Sequence, residues 1–249
     1  MVSRAFGLFL SALLLLVARP AAGDIVRVGV ASNFGGPARE LAARYESRTG
    51  HTIRLSTAST GKLYAQLRAG APFDVFLAAD DLRPARLTAE GLASQSRVYA
   101  MGRLAVVSAD PALAGQDCRQ ALEDASAATV AIANPTTAPY GRAALDWLAQ
   151  QAPSLDVRLV KGDNVGQAMS FVASGNAGFG IVAVAQLAAV RSSWPGCIDE
   201  LPAASHSPVR QAAALATGAG TAAAGFYDYL FSAEARDTIE RWGYATVAD

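Results

Sequence analysis

Apolar residues along this chain switch repeatedly between the alternation of extended strands and the three-and-four spacing of helices. Ile25 to Val30 is β-branched and alternating, which predicts a strand. It runs into the polar turn from Ala31 to Gly36. Ala38, Leu41, Ala42 and Tyr45 then fall at helical spacing, with Pro37 suited to the first turn and Gly50 to the stop. The unit repeats: His51 to Ser56 predicts a strand, Thr57 to Gly61 a loop, and Leu63 and Leu67 a helix ending near Gly70. Phe73 to Ala79 predicts a third strand and Pro84 to Gly91 a further helix.

The second half follows the same grammar. Val98 to Val107 reads as one long extended segment, and Val130 to Ala133 as a buried strand entering the loop Asn134 to Gly141. A helix is predicted over Ala143 to Gln151, a strand over Val157 to Val160 and a helix over Gln167 to Ala173. Phe179 to Val184 predicts a strand, Ala185 to Val190 a helix, Val209 to Ala216 a strand, and Ala222 to Arg241 a closing helical region. Alternating strands and helices predict an α/β fold with mostly parallel sheets. The units fall into an early and a late set, with extended segments near 98–107 and 209–216 placed to cross between them. Two lobes are therefore predicted: residues 24–101 and the return segment 213–249 in one, 102–212 in the other.

Residues 1–23 carry an early cation at Arg4, an apolar run from Ala5 to Ala18, and small residues at Ala21, Ala22 and Gly23. That is the pattern of a secretory signal peptide. A membrane anchor is the competing reading, but about 14 apolar residues fall short of the roughly 20 that span a bilayer. The mature protein is expected to start near Asp24, in the periplasm, without membrane insertion. Cys118 and Cys197 are then expected to pair, because an oxidising compartment favours bridging of an even cysteine count. Two separate buried thiols are the alternative.

Composition narrows the function. The chain has 249 residues, 52% hydrophobic, with 21 basic and 21 acidic side chains. Removing the leader takes away Arg4 and Arg19, leaving 19 against 21 and a net charge of −2. Without a basic run, nucleic-acid binding is not expected. Two histidines and two distant cysteines give no metal-ligand spacing, so no cation site and no cofactor are expected.

Candidate chemistry sits at four strand-to-helix turns, where Ser32/Asn33, Ser59/Thr60, Tyr140/Gly141 and Asn164/Val165/Gly166 stand at the helix start. Helix N-termini present unpaired N–H groups and the positive end of the macrodipole, so they accept anions without a cation. Ordinary capping explains any one such turn, since Ser, Thr and Asn are the preferred caps. Four in one chain, gathered at the carboxyl ends of the strands, predict an anion cleft.

Enzymatic readings find little. No G-x-S-x-G elbow occurs, and His51 and His206 read as surface histidines rather than bases. Asp74, Asp80 and Asp81 lie near a strand end and are candidates for a metal, but strand and helix-start roles account for them. Gly61-Lys62 lacks the glycine and the Ser/Thr of a phosphate loop. Tyr227 and Tyr229, considered as a tyrosinate pair for ferric ion, are two apart and face different ways on a helix.

The segments VASNF, TASTGKLYAQLRAGAPFDVFLAADD, ANPTTAPYG, GDNVGQAMSFVASG and FGIVA resemble the periplasmic molybdate-binding proteins of ABC importers, in the same order over residues 25 to 245. The resemblance implies a type II periplasmic-binding-protein fold: two α/β lobes joined by crossover strands, closing on molybdate or tungstate. It implies as partners the importer's permease and its ATPase. It maps the ligand contacts onto Ser32, Asn33, Thr60, Tyr140 and Val165, with Ser59 and Gly141 as secondary candidates and Ser59 as the alternative helix cap. Many members place a tyrosine where this chain has Ala183; the resemblance then implies that Tyr140 supplies the phenol. A monomer is expected. A carrier of another tetrahedral oxyanion, such as sulfate, is the alternative, because pocket size alone separates the two. A module that presents its closed lobes to a receptor is a further reading.

Overall fold

The computed structural model describes residues 23–125, 127–151 and 155–245; the expected leader lies outside them, apart from Gly23. The first strand, β1 (Ile25–Ala31), leads through a short turn at Ser32–Phe34 into α1 (Gly35–Thr49). Ala38, Leu41, Ala42 and Tyr45 are all buried, as their spacing predicts. The helix stops because Gly50 adopts φ 72°, a left-handed conformation in which its amide closes on Glu46. There follow β2 (Thr52–Ala58), α2 (Thr60–Arg68), β3 (Val75–Leu77), α3 (Leu82–Ala89) and β4 (Ala93–Gly102). Then come β5 (Leu104–Val107), α4 (Cys118–Asp124), β6 (Ala128–Ala133), α5 (Pro139–Gln151) and β7 (Val157–Gly162). The chain continues through α6 (Val165–Ala173), β8 (Phe179–Ala183), α7 (Val184–Leu187) and β9 (Ile198–Glu200). It closes with β10 (Val209–Ala216), α8 (Thr221–Tyr229) and α9 (Ala233–Arg241).

Two five-stranded sheets result, ordered β2-β1-β3-β10-β4 and β7-β6-β8-β5-β9. This is the two-lobed α/β architecture expected. In the first sheet β1 runs parallel to β2 and β3, and β10 runs antiparallel to β3 and β4. In the second β6 is parallel to β7 and β8, and β5 is antiparallel to β8 and β9. Each sheet is thus mixed rather than mostly parallel, because the strands beside each crossover turn back along the sheet.

Several expected elements differ. Val98 to Val107 is two strands in different sheets, so the crossover falls at Arg103. The predicted boundary at 212 falls inside β10, all of which pairs in the first sheet from Val209 onward. The closing region is two helices, since Ser232 caps α9 by accepting from the Ala235 amide at 3.2 Å. The helix expected over Ala185 to Val190 is a single turn, α7. Helix α4 and strand β9 were not anticipated; the Cys118–Cys197 disulfide joins these two segments, so the expected pairing holds.

The first sheet packs an apolar cluster on each face, the second sheet packs one, and the lobes' cores meet. Ala31, at the end of β1, and Ala79, just beyond β3, pack into the second lobe's cluster, while Ala185 of α7 packs into the first lobe's. Leu41, Leu104 and Ile132, each at 0% exposure, are side chains whose truncation to alanine costs about 2–5 kcal/mol.

Candidate oxyanion site

The carboxyl ends of β1, β2, β6 and β7 point into the space between the lobes, and the helix that follows each begins there. The cavity they enclose is small, about 10 Å³, with the lobes closed over it. It is lined by Ala31, Ser32, Asn33, Ser59, Thr60, Ala79, Ala138, Pro139, Tyr140 and Val165. No lining residue carries a formal charge. The five sequence-predicted positions Ser32, Asn33, Thr60, Tyr140 and Val165 therefore meet at one place, together with Ser59. Gly141 is not among the lining residues.

Local chemistry differs at each start. Asn164 caps α6, its Oδ1 accepting from the Gln167 amide at 3.1 Å while Gln167 Oε1 accepts from the Asp163 amide at 2.6 Å. The N–H groups of Val165 and Gly166, in the first turn, have no intrahelical acceptor by helix geometry. Tyr140 holds the same position in α5, one residue after Pro139, whose fixed φ suits a helix start. Gly141 is there for packing: a Cβ would sit 2.1 Å from the Ala133 carbonyl oxygen, and its amide donates to Ala138 at 3.0 Å.

At α2 the two hydroxyls divide. Thr60 Oγ1 accepts from the Ala79 amide at 3.0 Å, tying the helix start to the end of β3. Ser59 occupies the cap position but makes no side-chain cap bond, and its Oγ is buried without a hydrogen-bond partner. Its expected alternative role as a cap is thus not what its geometry provides. A buried hydroxyl left unpaired costs free energy, so Ser59 Oγ is chemically poised for a ligand oxygen.

Tyr140 and Asn33 present something different from what the resemblance implies. The Tyr140 phenol oxygen is buried and accepts from Gln211 Nε2 at 3.2 Å. Asn33 Nδ2 donates to Gln211 Oε1 at 2.7 Å and to the Tyr244 hydroxyl at 3.0 Å. Burial pushes the Tyr140, Tyr99 and Tyr244 phenols well above the ordinary range, so all three stay neutral. Gln211, Tyr244 and Tyr99 had no part in the sequence reading. One signal was present: Gln211 is the lone amide inside the otherwise apolar run Gln211 to Ala216.

The cavity mouth is closed by contacts between lobes. The Gly61 amide donates to the Thr137 carbonyl at 2.8 Å, and Lys62 Nζ pairs with Asp163 Oδ2 at 2.8 Å. An adjoining groove of about 340 Å³ is lined in part by Arg83, Arg142 and Arg210. Arg83 pairs with Asp80 and Arg210 with Asp81, so those carboxylates belong to ion pairs. Asp80, one residue before the cap position of α3, also accepts from the Arg83 amide at 2.9 Å, and Asp74 accepts from the Arg27 amide at 2.7 Å.

The remaining candidates resolve into structural roles. His51 Nδ1 accepts from the Asp24 amide at 3.1 Å. His206 is buried at 6% exposure rather than on the surface, because the turn before β10 folds it inward. Tyr227 is buried in α8, and Tyr229 packs against Tyr45. Among the described residues no group of three or more His, Cys, Asp or Glu is placed to hold a metal ion, and no helix is long and apolar enough to cross a membrane.

Comparisons with known proteins converge. The model of the bacterial extracellular solute-binding protein family matches residues 26–245. The chain is 40% identical to the molybdate-binding protein ModA of Rhodobacter capsulatus over 243 residues, covering 94% of each. It is 39% identical to ModA of Azotobacter vinelandii over 235 residues, covering 92% of this chain and 93% of that one. The solved structure of the Azotobacter vinelandii periplasmic molybdate-binding protein superposes with a TM-score of 0.81 at 32% identity, covering 90% of this chain and all of that one.

Proposed function

Because the chain belongs to the bacterial extracellular solute-binding proteins, and within them to the periplasmic molybdate-binding proteins, we propose how its cavity captures the anion. The protein binds molybdate in the periplasm and serves an ABC importer; it is a transport binding protein, not an enzyme, and carries no cofactor. In our reading the first-turn N–H groups of Tyr140 and Val165 and the hydroxyls of Ser32, Ser59 and Thr60 meet the oxyanion. Asn33 contributes through its position in the first turn. Tungstate, of the same charge and shape, is read as a second ligand. The leader over residues 1–23 is read as the export signal, and the protein as a monomer, consistent with one chain lining the whole cavity.

The observation that carries this reading is a cavity at four converging helix starts, free of formal charge, with Ser59 Oγ unpaired inside it. A desolvated dianion needs donors at its oxygens, and helix-start amides with hydroxyls supply them. Contacts made only when both lobes reach the anion favour the closed state over the open one. The permease then receives the anion when the lobes separate.

Titration calorimetry of the mature protein with molybdate, tungstate, sulfate and phosphate tests the reading. Submicromolar binding of the first two, with sulfate about a thousandfold weaker, corresponds to a gap of roughly 4 kcal/mol. Tight sulfate binding would make the protein a general oxyanion carrier, and no binding of molybdate would overturn the assignment.

A further inference from the structure

Behind the anion cavity lies a buried polar chain larger than anion binding requires. Gln211, wholly buried in β10, donates from Nε2 to the Tyr140 oxygen at 3.2 Å. Its Oε1 accepts from Asn33 Nδ2 at 2.7 Å and from the Tyr99 hydroxyl at 3.2 Å. Tyr244 accepts from Asn33 Nδ2 at 3.0 Å and donates to the Asn33 carbonyl at 2.8 Å.

The chain crosses between lobes. Tyr140 begins α5, over the second sheet; Gln211 and Tyr99 belong to the first sheet, and Tyr244 follows α9. It does so at the crossover itself. A Cβ on Gly102, the last residue of β4, would lie 2.3 Å from the Tyr140 oxygen and 2.9 Å from Val209 Cγ1. Only glycine at 102 leaves room for the phenol. Separating Tyr140 from Gln211 leaves buried polar groups short of partners, which is costly where water does not replace them. The connection thus adds its free energy to the state in which the lobes are together.

We propose that Gly102, Gln211 and Tyr244 are positioning residues of a closure lock, in which the Tyr140 phenol is held by the first lobe and molybdate release is thereby slowed. The lock rests on the molybdate-binding reading and adds the group that retains the closed form. Its role is carried by the release rate, since association begins from the open form.

Stopped-flow release of molybdate from Tyr140→Phe, Tyr244→Phe and the double variant, with ligand-free melting curves and small-angle scattering, tests it. The lock predicts release roughly five- to tenfold faster in each single variant, the size of one hydrogen bond's net contribution. It also predicts less than the product of the two in the double variant, and an unchanged ratio of molybdate to sulfate affinity. A changed ratio in Tyr140→Phe with wild-type release in Tyr244→Phe would put the phenol on the anion and overturn the lock. A lower ligand-free melting temperature with wild-type release would make the cluster structural only, which also overturns it. If the wild-type protein binds no molybdate, the functional reading fails; the lock is still decided by scattering, where Tyr244→Phe must enlarge the ligand-free radius of gyration.

Discussion

Across the mouth of the cleft the amide of Gly61 donates to the carbonyl oxygen of Thr137 at 2.8 Å, joining the first turn of α2 to the loop before α5. The approach leaves no space: a Cβ on Gly61 would stand 3.0 Å from the Thr137 Cα and carbonyl oxygen. Gly61→Ala is therefore expected to hold the lobes slightly apart and weaken molybdate binding by about 1–3 kcal/mol, the usual cost of overpacking a tight contact. Calorimetry reads the affinity. Wild-type affinity in the variant would show that the Gly61–Thr137 contact plays no part in retention.

The two hydroxyls at the start of α2 predict opposite phenotypes. Ser59→Ala removes a buried hydroxyl that has no partner in the protein, so ligand-free stability is expected to stay level or rise while molybdate affinity falls by about 1–3 kcal/mol. Thr60→Val removes the acceptor of the Ala79 amide, so ligand-free stability is expected to fall by about 1–3 kcal/mol as well. Paired melting and titration curves separate the two. Equal loss of stability in both variants would refute the division of roles.

How far these roles could be read beforehand depended on whether the signal was local. The strand-loop-helix order, the buried stripe Ala38, Leu41, Ala42 and Tyr45, and the four helix starts follow from spacing and turn chemistry within a few residues. The crossover at Arg103 did not, because Val98 to Val107 reads as one extended segment until the separate sheets of β4 and β5 are known. The direction of Tyr140 is set by Gly102 and Gln211, 38 and 71 positions away, so position alone suggested a phenol on the anion. Ser59 and Thr60 are adjacent and both hydroxylic; only the Ala79 amide, brought in by β3, tells them apart.

The Cys118–Cys197 bridge closes a span of 79 residues and pins α4 to the segment leading into β9, both cysteines being buried. Such a loop predicts that a Cys118→Ser, Cys197→Ser double variant loses roughly 2–4 kcal/mol of stability. Denaturant melts under oxidising conditions measure it. An unchanged midpoint would mean that α4 and β9 are held by their hydrogen bonds alone, among them Asp199 Oδ2 accepting from the Cys118 amide at 2.6 Å.

Alkaline stability follows from the phenols. Desolvation holds Tyr99, Tyr140 and Tyr244 protonated well above the ordinary range, and pushes Tyr227 up to about 12. An unfolded phenol loses its proton near pH 10. Above that pH the unfolded state binds fewer protons than the folded one, so stability is complete below about pH 10 and falls as pH rises further. Melting temperatures between about pH 8 and pH 11 should stay level and then drop. Tyrosinate absorbance should still be rising well above pH 10 in the folded protein, and completion of the titration near pH 10 would contradict the burial of these side chains.

The absence of formal charge from the cavity lining makes a prediction about pH and about phosphate. Ser32, Asn33, Ser59, Thr60, Tyr140 and Val165 bring N–H and O–H donors, and none of them titrates between about pH 6 and pH 9, since the Tyr140 phenol is pushed upward. Molybdate affinity should therefore be flat across that range. Phosphate behaves differently at its own protons: an anion that carries O–H needs an acceptor, and the lining offers no carboxylate to receive it. A buried proton left without an acceptor carries a penalty of about 1–3 kcal/mol, and the monoanion, with two protons, also lacks one negative charge that the helix starts favour. Titrations at about pH 6, 7.5 and 9 should show level molybdate binding, with phosphate weak at all three values, because it keeps at least one proton across this range. Molybdate affinity that fell across this range would reveal a titrating group in contact with the anion, and the donor-only account of the cavity would not stand.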